Sequence, residues 1–207
     1  MKNIKSKIID NSNLTEFNAI EFENFLALIK STAVNFENNY FVIVNNVKHD
    51  NLPISLIICD YAENVGLSLV DEIIWLCDSK SNNTFKNIFK SILWFTKKTN
   101  YDFNKDILRV KHIWKDMEWG KREGNYHPLG KDPGNVWIKE YSEKAVITEH
   151  KFLTTEEIYA KLILSQMKNE KENFEIFTNS KTSKKIISEK IQSKSKVEFN
   201  LLIKSFS

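Results

Sequence analysis

The placement of glycine and proline constrains this 207-residue chain more than any other feature. Of its five glycines and three prolines, Gly120, Gly124, Pro128, Gly130, Pro133 and Gly134 crowd into one stretch, leaving only Pro53 and Gly66 elsewhere. Glycine frees the backbone and proline removes an N–H donor, so both punctuate loops and are poor interior residues of helices and strands. The chain therefore reads as an ordered N-terminal part, an irregular middle and an ordered C-terminal part.

Within the ordered parts, compact apolar runs alternate with helix-spaced ones. Lys7–Asp10 has the look of a strand end, and Ile20–Val34 spaces Ile20, Phe25, Leu28 and Ile29 as a helix does. Tyr40–Asn46 (YFVIVNN) reads as a strand buried on both faces. Pro53–Val65 predicts a helix with Pro53 in its first turn and Gly66 ending it. Ser68–Cys77 and Ser91–Thr96 predict two further strands. After the irregular stretch, Thr154–Thr155–Glu156–Glu157 is a capping-box pattern opening a helix through about Met167. Phe174–Phe177 reads as a short strand, Lys184–Ile191 as a helix and Val197–Ile203 as a last strand. Such alternation is the pattern of a doubly wound α/β fold.

Composition narrows the function classes. With 42% hydrophobic and 12% aromatic residues the chain can bury a real core. A net charge of +3 is compatible with nucleic acid without demanding it, and Arg109 and Arg122 are the only arginines. Cys59 and Cys77 sit in apolar runs and read as buried small hydrophobes of a reducing compartment. His49, His112, His127 and His150 are scattered, with no cysteine or second histidine at ligand spacing, so no metal site is expected. Residues 1–7 lack the apolar core of a signal peptide, and no run approaches a membrane span. The expectation is a cytoplasmic protein that does not engage a membrane.

Four segments then carry a resemblance. EIIW at Glu72–Trp75, SILWFTKKTNYDFN at Ser91–Asn104, GKDPGNVW at Gly130–Trp137 and HKFLTTEEI at His150–Ile158 resemble, in this order, the circularly permuted group of DNA amino-methyltransferases. In that group the catalytic motif comes first, a target-recognition insert lies in the middle and the cofactor-binding glycine motif comes late. The resemblance spans roughly residues 5 to 203. It implies a Rossmann-like methyltransferase core divided into a catalytic half at 1–96, a recognition insert at 97–151 and a cofactor half at 152–207.

The same resemblance points to departures. The family places an aspartate or asparagine, two prolines and an aromatic after its first strand, where the target base stacks. The matching residues are Asp10, Asn11, Ser12 and Asn13, so the acid remains while the prolines and the aromatic are gone. Read without the family, Asp10 is simply a strand-end turn residue. The cofactor motif, typically Phe-x-Gly-x-Gly-Thr, corresponds to FEIFTNSKT at Phe174–Thr182. Phe177 and Thr182 match, whereas Asn179 and Lys181 stand in the glycine places, and asparagine can still adopt positive φ. His150 and Thr155 fall in the segment that packs beside the cofactor in relatives, with Thr155 where the family has proline; as a bare helix start this segment needs no cofactor.

The insert is where relatives read DNA. Arg109, Lys111, Lys115, Lys121, Arg122 and Lys131 interleave with Trp119, Tyr126 and His127, a mixture able to neutralise phosphates and stack on bases. Asp116, Glu118, Glu123 and Asp132 are mixed in, as in a folded aromatic mini-core with ordinary surface charge. The expected function is a methyltransferase-like chain, inactive on its own, that recognises double-stranded DNA or partners an active methyltransferase of a restriction–modification system, as a heterodimer or with a second copy of itself. S-adenosylmethionine would then be bound by the partner. The rival expectations are an active adenine or cytosine amino-methyltransferase with divergent motifs, which would itself bind S-adenosylmethionine, and a stand-alone DNA-binding protein.

Overall fold

The computed structural model describes residues 4–13, 19–49, 51–77, 88–97, 99, 101–110, 127–138, 152–168 and 171–206. In chain order the strands are β1 (Ser6–Asp10), β2 (Asn39–Asn45), β3 (Lys48–His49), β4 (Leu52–Pro53), β5 (Ser68–Leu76), β6 (Phe89–Thr96), β7 (Val136–Trp137), β8 (Glu172–Thr178) and β9 (Phe199–Lys204). The helices are α1 (Ala19–Thr32), α2 (Ile54–Asn64), α3 (Thr155–Leu164) and α4 (Lys184–Gln192). Seven strands form one sheet in the order β7-β5-β6-β2-β1-β8-β9, while β3 and β4 pair as a small ribbon. β1 runs parallel to both β2 and β8, and β8 parallel to β9; β6 is antiparallel to β2 and β5.

Period-two alternation assigns each strand residue to a layer. Ile8, Phe41, Ile43, Ile92 and Ile176 face α3 and α4, packing with Ile158, Leu162, Ile163 and Ile187. Ile9, Tyr40, Val42, Val44 and Phe95 face α1 and α2, packing with Phe22, Phe25, Ile29, Ile54 and Ile58. Helices thus cover both faces, which is the expected α/β architecture, and the unbroken apolar run of β2 follows from burial on both sides.

The expected elements are present, with differences at their ends. Pro53 caps α2 from outside rather than standing in its first turn, and Gly66 closes that helix at φ +82°. The Thr154–Glu157 capping box is formed, with the Thr154 side chain accepting from the Glu157 N–H and the Glu157 carboxylate from the Thr154 N–H. α3 stops at Leu164, because the Ser165 and Gln166 side chains turn back onto the Leu162 carbonyl. The short strand β7 had no sequence signal. It joins the sheet beside β5, and Trp137 and Leu108 enter the core next to α3. The described ends of the middle segment are therefore fastened to the core. Gly130 makes one fastening possible: at φ +106° a Cβ there would lie 2.3 Å from the Val110 carbonyl oxygen, across the bridge between Val110 and Lys131.

Cys59 and Cys77 are half-buried rather than buried, and neither forms a disulfide. Burial, with the charge of Glu72 adding to it, pushes the Cys59 thiol up to about 11. Among the described residues no group of side chains is arranged to hold a metal, and no helix is long and apolar enough to cross a membrane.

The amino edge of the sheet is closed by ionic pairs. The Asp102 carboxylate receives Lys5 (2.5 Å), Lys168 and the Asn38 amide (2.5 Å), and Lys5 also meets Glu172 at 2.9 Å. Asn39, fully buried, donates to the Asp102 carbonyl and to Gln166, and accepts from the Trp94 indole N–H at 2.8 Å. This network ties the start of the middle segment to β1, β2, β6 and the end of α3.

Candidate active site at the carboxyl edge of the sheet

In an open α/β sheet ligands bind beyond the carboxyl ends of the strands, where the winding direction reverses. Here the reversal lies between β1 and β8, and Asp10 pairs in register with Thr178 at their ends. The two motifs singled out in the sequence, one near each end of the chain, therefore meet at one place. Asn13 Nδ2 donates to Ser180 Oγ at 2.8 Å, clipping the turn after β1 to the turn after β8.

Asp10 is 2% exposed and both its oxygens are engaged. Oδ1 accepts the Ser12 N–H at 2.8 Å, the local turn that aspartate favours, and Oδ2 accepts the Tyr159 hydroxyl at 2.5 Å. Tyr159, fully buried on α3, is pushed well above the usual phenol range by burial and by the Asp10 charge, so it stays a hydrogen-bond donor. Asn11 donates its backbone N–H to the Ile43 carbonyl and extends the β1–β2 register by a residue. Ser12 is 3% exposed, and its hydroxyl accepts from Lys90 Nζ at 3.0 Å.

The turn after β8 is closed by its own side chains. Ser180 N–H donates to Thr178 Oγ1 at 3.0 Å, and the Asn179 side-chain oxygen accepts the Phe206 N–H at 2.9 Å. Positive φ among the described non-glycine residues is confined to Asn51, at +66°, in the β3–β4 ribbon. Asn179 thus does not use the left-handed freedom that asparagine offers, and the turn differs from a glycine turn. Lys181 is exposed and Thr182 half-buried, while Phe177 joins the α1–α2 core layer with Lys204 over its ring at 5.1 Å. Thr155 is the first residue of α3, and His150 lies outside the described residues.

Of the insert candidates, Lys111, Lys115, Trp119, Lys121, Arg122 and Tyr126 lie outside the described residues. Arg109 is turned inward: its side chain is 10% exposed, bound to Asp106 at 2.5 Å and to the Gly130 carbonyl at 3.0 Å, so it fastens the insert. His127 and Lys131 are exposed; His127 Nδ1 accepts the Leu129 N–H at 3.2 Å.

Sequence reading missed Tyr159, Lys90, Trp75 and Ser180 as members of this site. Tyr159 is the polar exception in an otherwise apolar buried run of α3, which was the available signal. Lys90 and Trp75 could not be found without pairing: the antiparallel register of β6 places Lys90 opposite both Asn45 and Trp75 at the carboxyl edge. A large cleft of about 1440 Å³ lies elsewhere, along β8, β9 and the end of α1, lined by Lys7, Glu175, Phe177 and Lys204 but by none of Asp10–Asn13 or Asn179–Thr182. There Glu175 joins Lys7 (3.6 Å) to Lys204 (2.8 Å), and burial lowers the Lys7 ammonium below its ordinary range.

The sheet order, the two helical layers and the β1–β8 reversal define a class I methyltransferase type of Rossmann-like core. The PvuII DNA methyltransferase (cytosine-N4-specific) superposes with a TM-score of 0.59 at 10% identity, covering 99% of this chain and 76% of that one. M1.HpyAVI in complex with SAM superposes at 0.53 with 14% identity, covering 100% and 84%. A putative DNA modification methylase from Thermus thermophilus, complexed with S-adenosyl-L-methionine, gives 0.56 at 10% identity, covering 98% and 80%. At such identities the likeness establishes the fold. The family rests on sequence: the N6/N4 methyltransferase family model, described as DNA methylase, matches residues 15–187. The chain belongs to that DNA amino-methyltransferase family. It is also 32% identical over 93 residues to the Type II methyltransferase M.BglII of Bacillus subtilis, a match covering 42% of this chain and 26% of that protein.

Proposed function

We propose that this chain is a methyltransferase-family protein that does not transfer methyl groups on its own and serves as a DNA-recognition or partner subunit of an active S-adenosylmethionine-dependent DNA methyltransferase. The observation that carries this reading is the state of Asp10. Amine methylation needs an acceptor aimed at the incoming amino group and a nitrogen held in line with the sulfonium methyl. Asp10 is buried with its two oxygens engaged by Tyr159 and Ser12, and the neighbouring Asn13 is tied to Ser180.

The residues of the turn after β8 also do not fit S-adenosylmethionine. A glycine turn lets the cofactor approach the backbone. Here the Asn179 and Ser180 side chains are engaged by the Phe206 N–H and by Asn13, and Lys181 puts an exposed ammonium in a glycine place. The intact core argues that the fold is kept for another purpose, and recognition of double-stranded DNA by the insert, with an active methyltransferase or a second copy alongside, is the role that suits it. The target sequence and base would be set by the active partner.

Calorimetry of S-adenosylmethionine against the purified chain, with an active relative as control, tests the proposal. No heat at millimolar cofactor is expected, together with co-purification of an active methyltransferase subunit. Binding in the micromolar range, with methyl transfer to DNA that disappears in Asp10→Ala, would replace it with the active-enzyme reading.

A further inference from the structure

We infer that Lys90, held between Ser12 and Trp75 at the carboxyl edge, is an anchor for a phosphate group, so that the former base pocket grips a nucleic-acid backbone instead. The inference rests on the family's DNA-directed reading proposed above and names the group that makes the contact. Lys90 is half-buried, its Nζ lies 3.0 Å from Ser12 Oγ and 4.5 Å from the centre of the Trp75 ring.

What marks this lysine is the neutrality of its partners. Most lysines drawn into the body of the protein meet carboxylates: Lys5 meets Asp102 and Glu172, Lys7 meets Glu175 and Lys190 meets Glu157, while the half-buried Lys161 lies over the Trp137 ring at 5.5 Å. Lys90 meets a hydroxyl and an indole. Asp10, on the same edge, forms no ion pair with it, because that carboxylate is engaged by Tyr159 and by the Ser12 backbone. An ammonium has three donor protons and no acceptor, so one hydroxyl and one ring leave it capacity for an anion.

Simple snorkelling along an aromatic would carry the ammonium out to water. Instead Ser12 draws it to the strand ends where ligands of this fold class bind. Trp75 is itself fixed, its indole N–H donating to the Leu153 carbonyl at 3.1 Å, so the platform under Lys90 is rigid. The turn after β8, whose strand end lies on the same edge, adds an exposed lysine, Lys181, ahead of α4.

The full chain should be titrated with fluorescently labelled duplex DNA across 50–200 mM salt, beside Lys90→Met, Lys90→Glu and Lys90→Arg. Methionine keeps the packing on Trp75 and removes the charge. The slope of log affinity against log salt is expected to fall by about one in Lys90→Met, the contribution of one phosphate contact. Lys90→Glu should weaken binding further, and Lys90→Arg should restore it. Unchanged slope in Lys90→Met, or no DNA binding by the wild-type chain at 50 mM salt, would overturn the anchor. Direct titration with inorganic phosphate separates the sources: phosphate binding that is lost in Lys90→Met while the DNA salt slope is unchanged in that variant assigns the anchor to free phosphate and overturns the backbone reading. Neither result bears on cofactor binding, so the anchor can fail while the proposal of an inactive subunit stands.

Discussion

At the amino edge of the sheet, charge meets charge: Lys5 and Lys168 converge on Asp102, and Lys5 reaches Glu172 as well. At the carboxyl edge opposite charges share a neighbourhood but do not pair. Asp10 rests on a phenol and a backbone N–H, Lys90 rests on a hydroxyl and an indole, and Ser12 touches both. The first arrangement is self-sufficient and joins segments distant in sequence. The second keeps a cation and an anion separately held on neutral groups, the arrangement on which the proposed phosphate anchor rests. Both edges are polar and largely buried, so polarity alone does not distinguish a lock from a site; the partners of each charge do.

The largest expected effect lies at the lock. Asp102→Ala leaves Lys5 with only Glu172 and removes the acceptor of Lys168 and Asn38. The side chains involved are 11% and 18% exposed for Lys5 and Asp102. A loss of about 2–3 kcal/mol is expected in urea denaturation, below the full value for a buried pair because water reaches one side. Acid should act on the same group. Burial pushes the Asp102 carboxyl up, but hydrogen bonds from Lys168 and Lys5 outweigh it and hold it below the usual carboxylate range. A depressed folded-state pKa means the stabilisation is present above the unfolded value, about 3.9, and is lost as pH falls through the folded value. Asp102→Ala should therefore flatten the wild-type stability loss below about pH 4. An equally steep acid limb in the variant would remove Asp102 from the lock.

Next comes the site. Tyr159→Phe deletes the donor to Asp10 Oδ2 in a fully buried position. Leaving a buried acceptor without its donor costs about 1–2 kcal/mol, read as a lower urea midpoint. The comparison sharpens if DNA affinity is unchanged in this variant, since Asp10 would then serve the fold. A stable Tyr159→Phe protein would show that water reaches Asp10 and that the carboxylate is open to a ligand.

Much of this contrast could not be read along the chain. The layers could: unbroken apolar runs such as YFVIVNN and the Thr154–Glu157 capping box carry their structure locally, through period and cap. The resemblance also placed Asp10 and Phe177–Thr182 in one site, and their strands do end side by side. The companions of Asp10 were invisible because each arrives through register. Lys90 comes from an antiparallel strand and Tyr159 from a helix 149 positions away. The lock was equally hidden, since nothing in the sequence around Asp102 announces that Lys5 and Lys168 will reach it. Asn179 shows the opposite failure: a residue able to adopt positive φ does not, because its side chain has the Phe206 N–H to hold.

The smallest expected effect is at the clip between the two turns, and it bears most directly on what blocks the cofactor. Asn13 is exposed, and Asn13→Ala removes one hydrogen bond to Ser180 that water can replace. The change in stability should stay within about 0.5 kcal/mol. If the clip alone closes the site, this variant gains affinity for S-adenosylmethionine by calorimetry. The expectation is that it does not, because Asn179 and Lys181 still occupy the glycine places. Replacing both, as Asn179→Gly with Lys181→Gly, removes the Phe206 contact and the opposing ammonium together, and this pair should bind the cofactor more tightly than the wild type. Gain in Asn13→Ala but not in the glycine pair would move the obstacle from the turn after β8 to the turn after β1. The carboxyl edge would then be a closed enzyme site rather than a converted one.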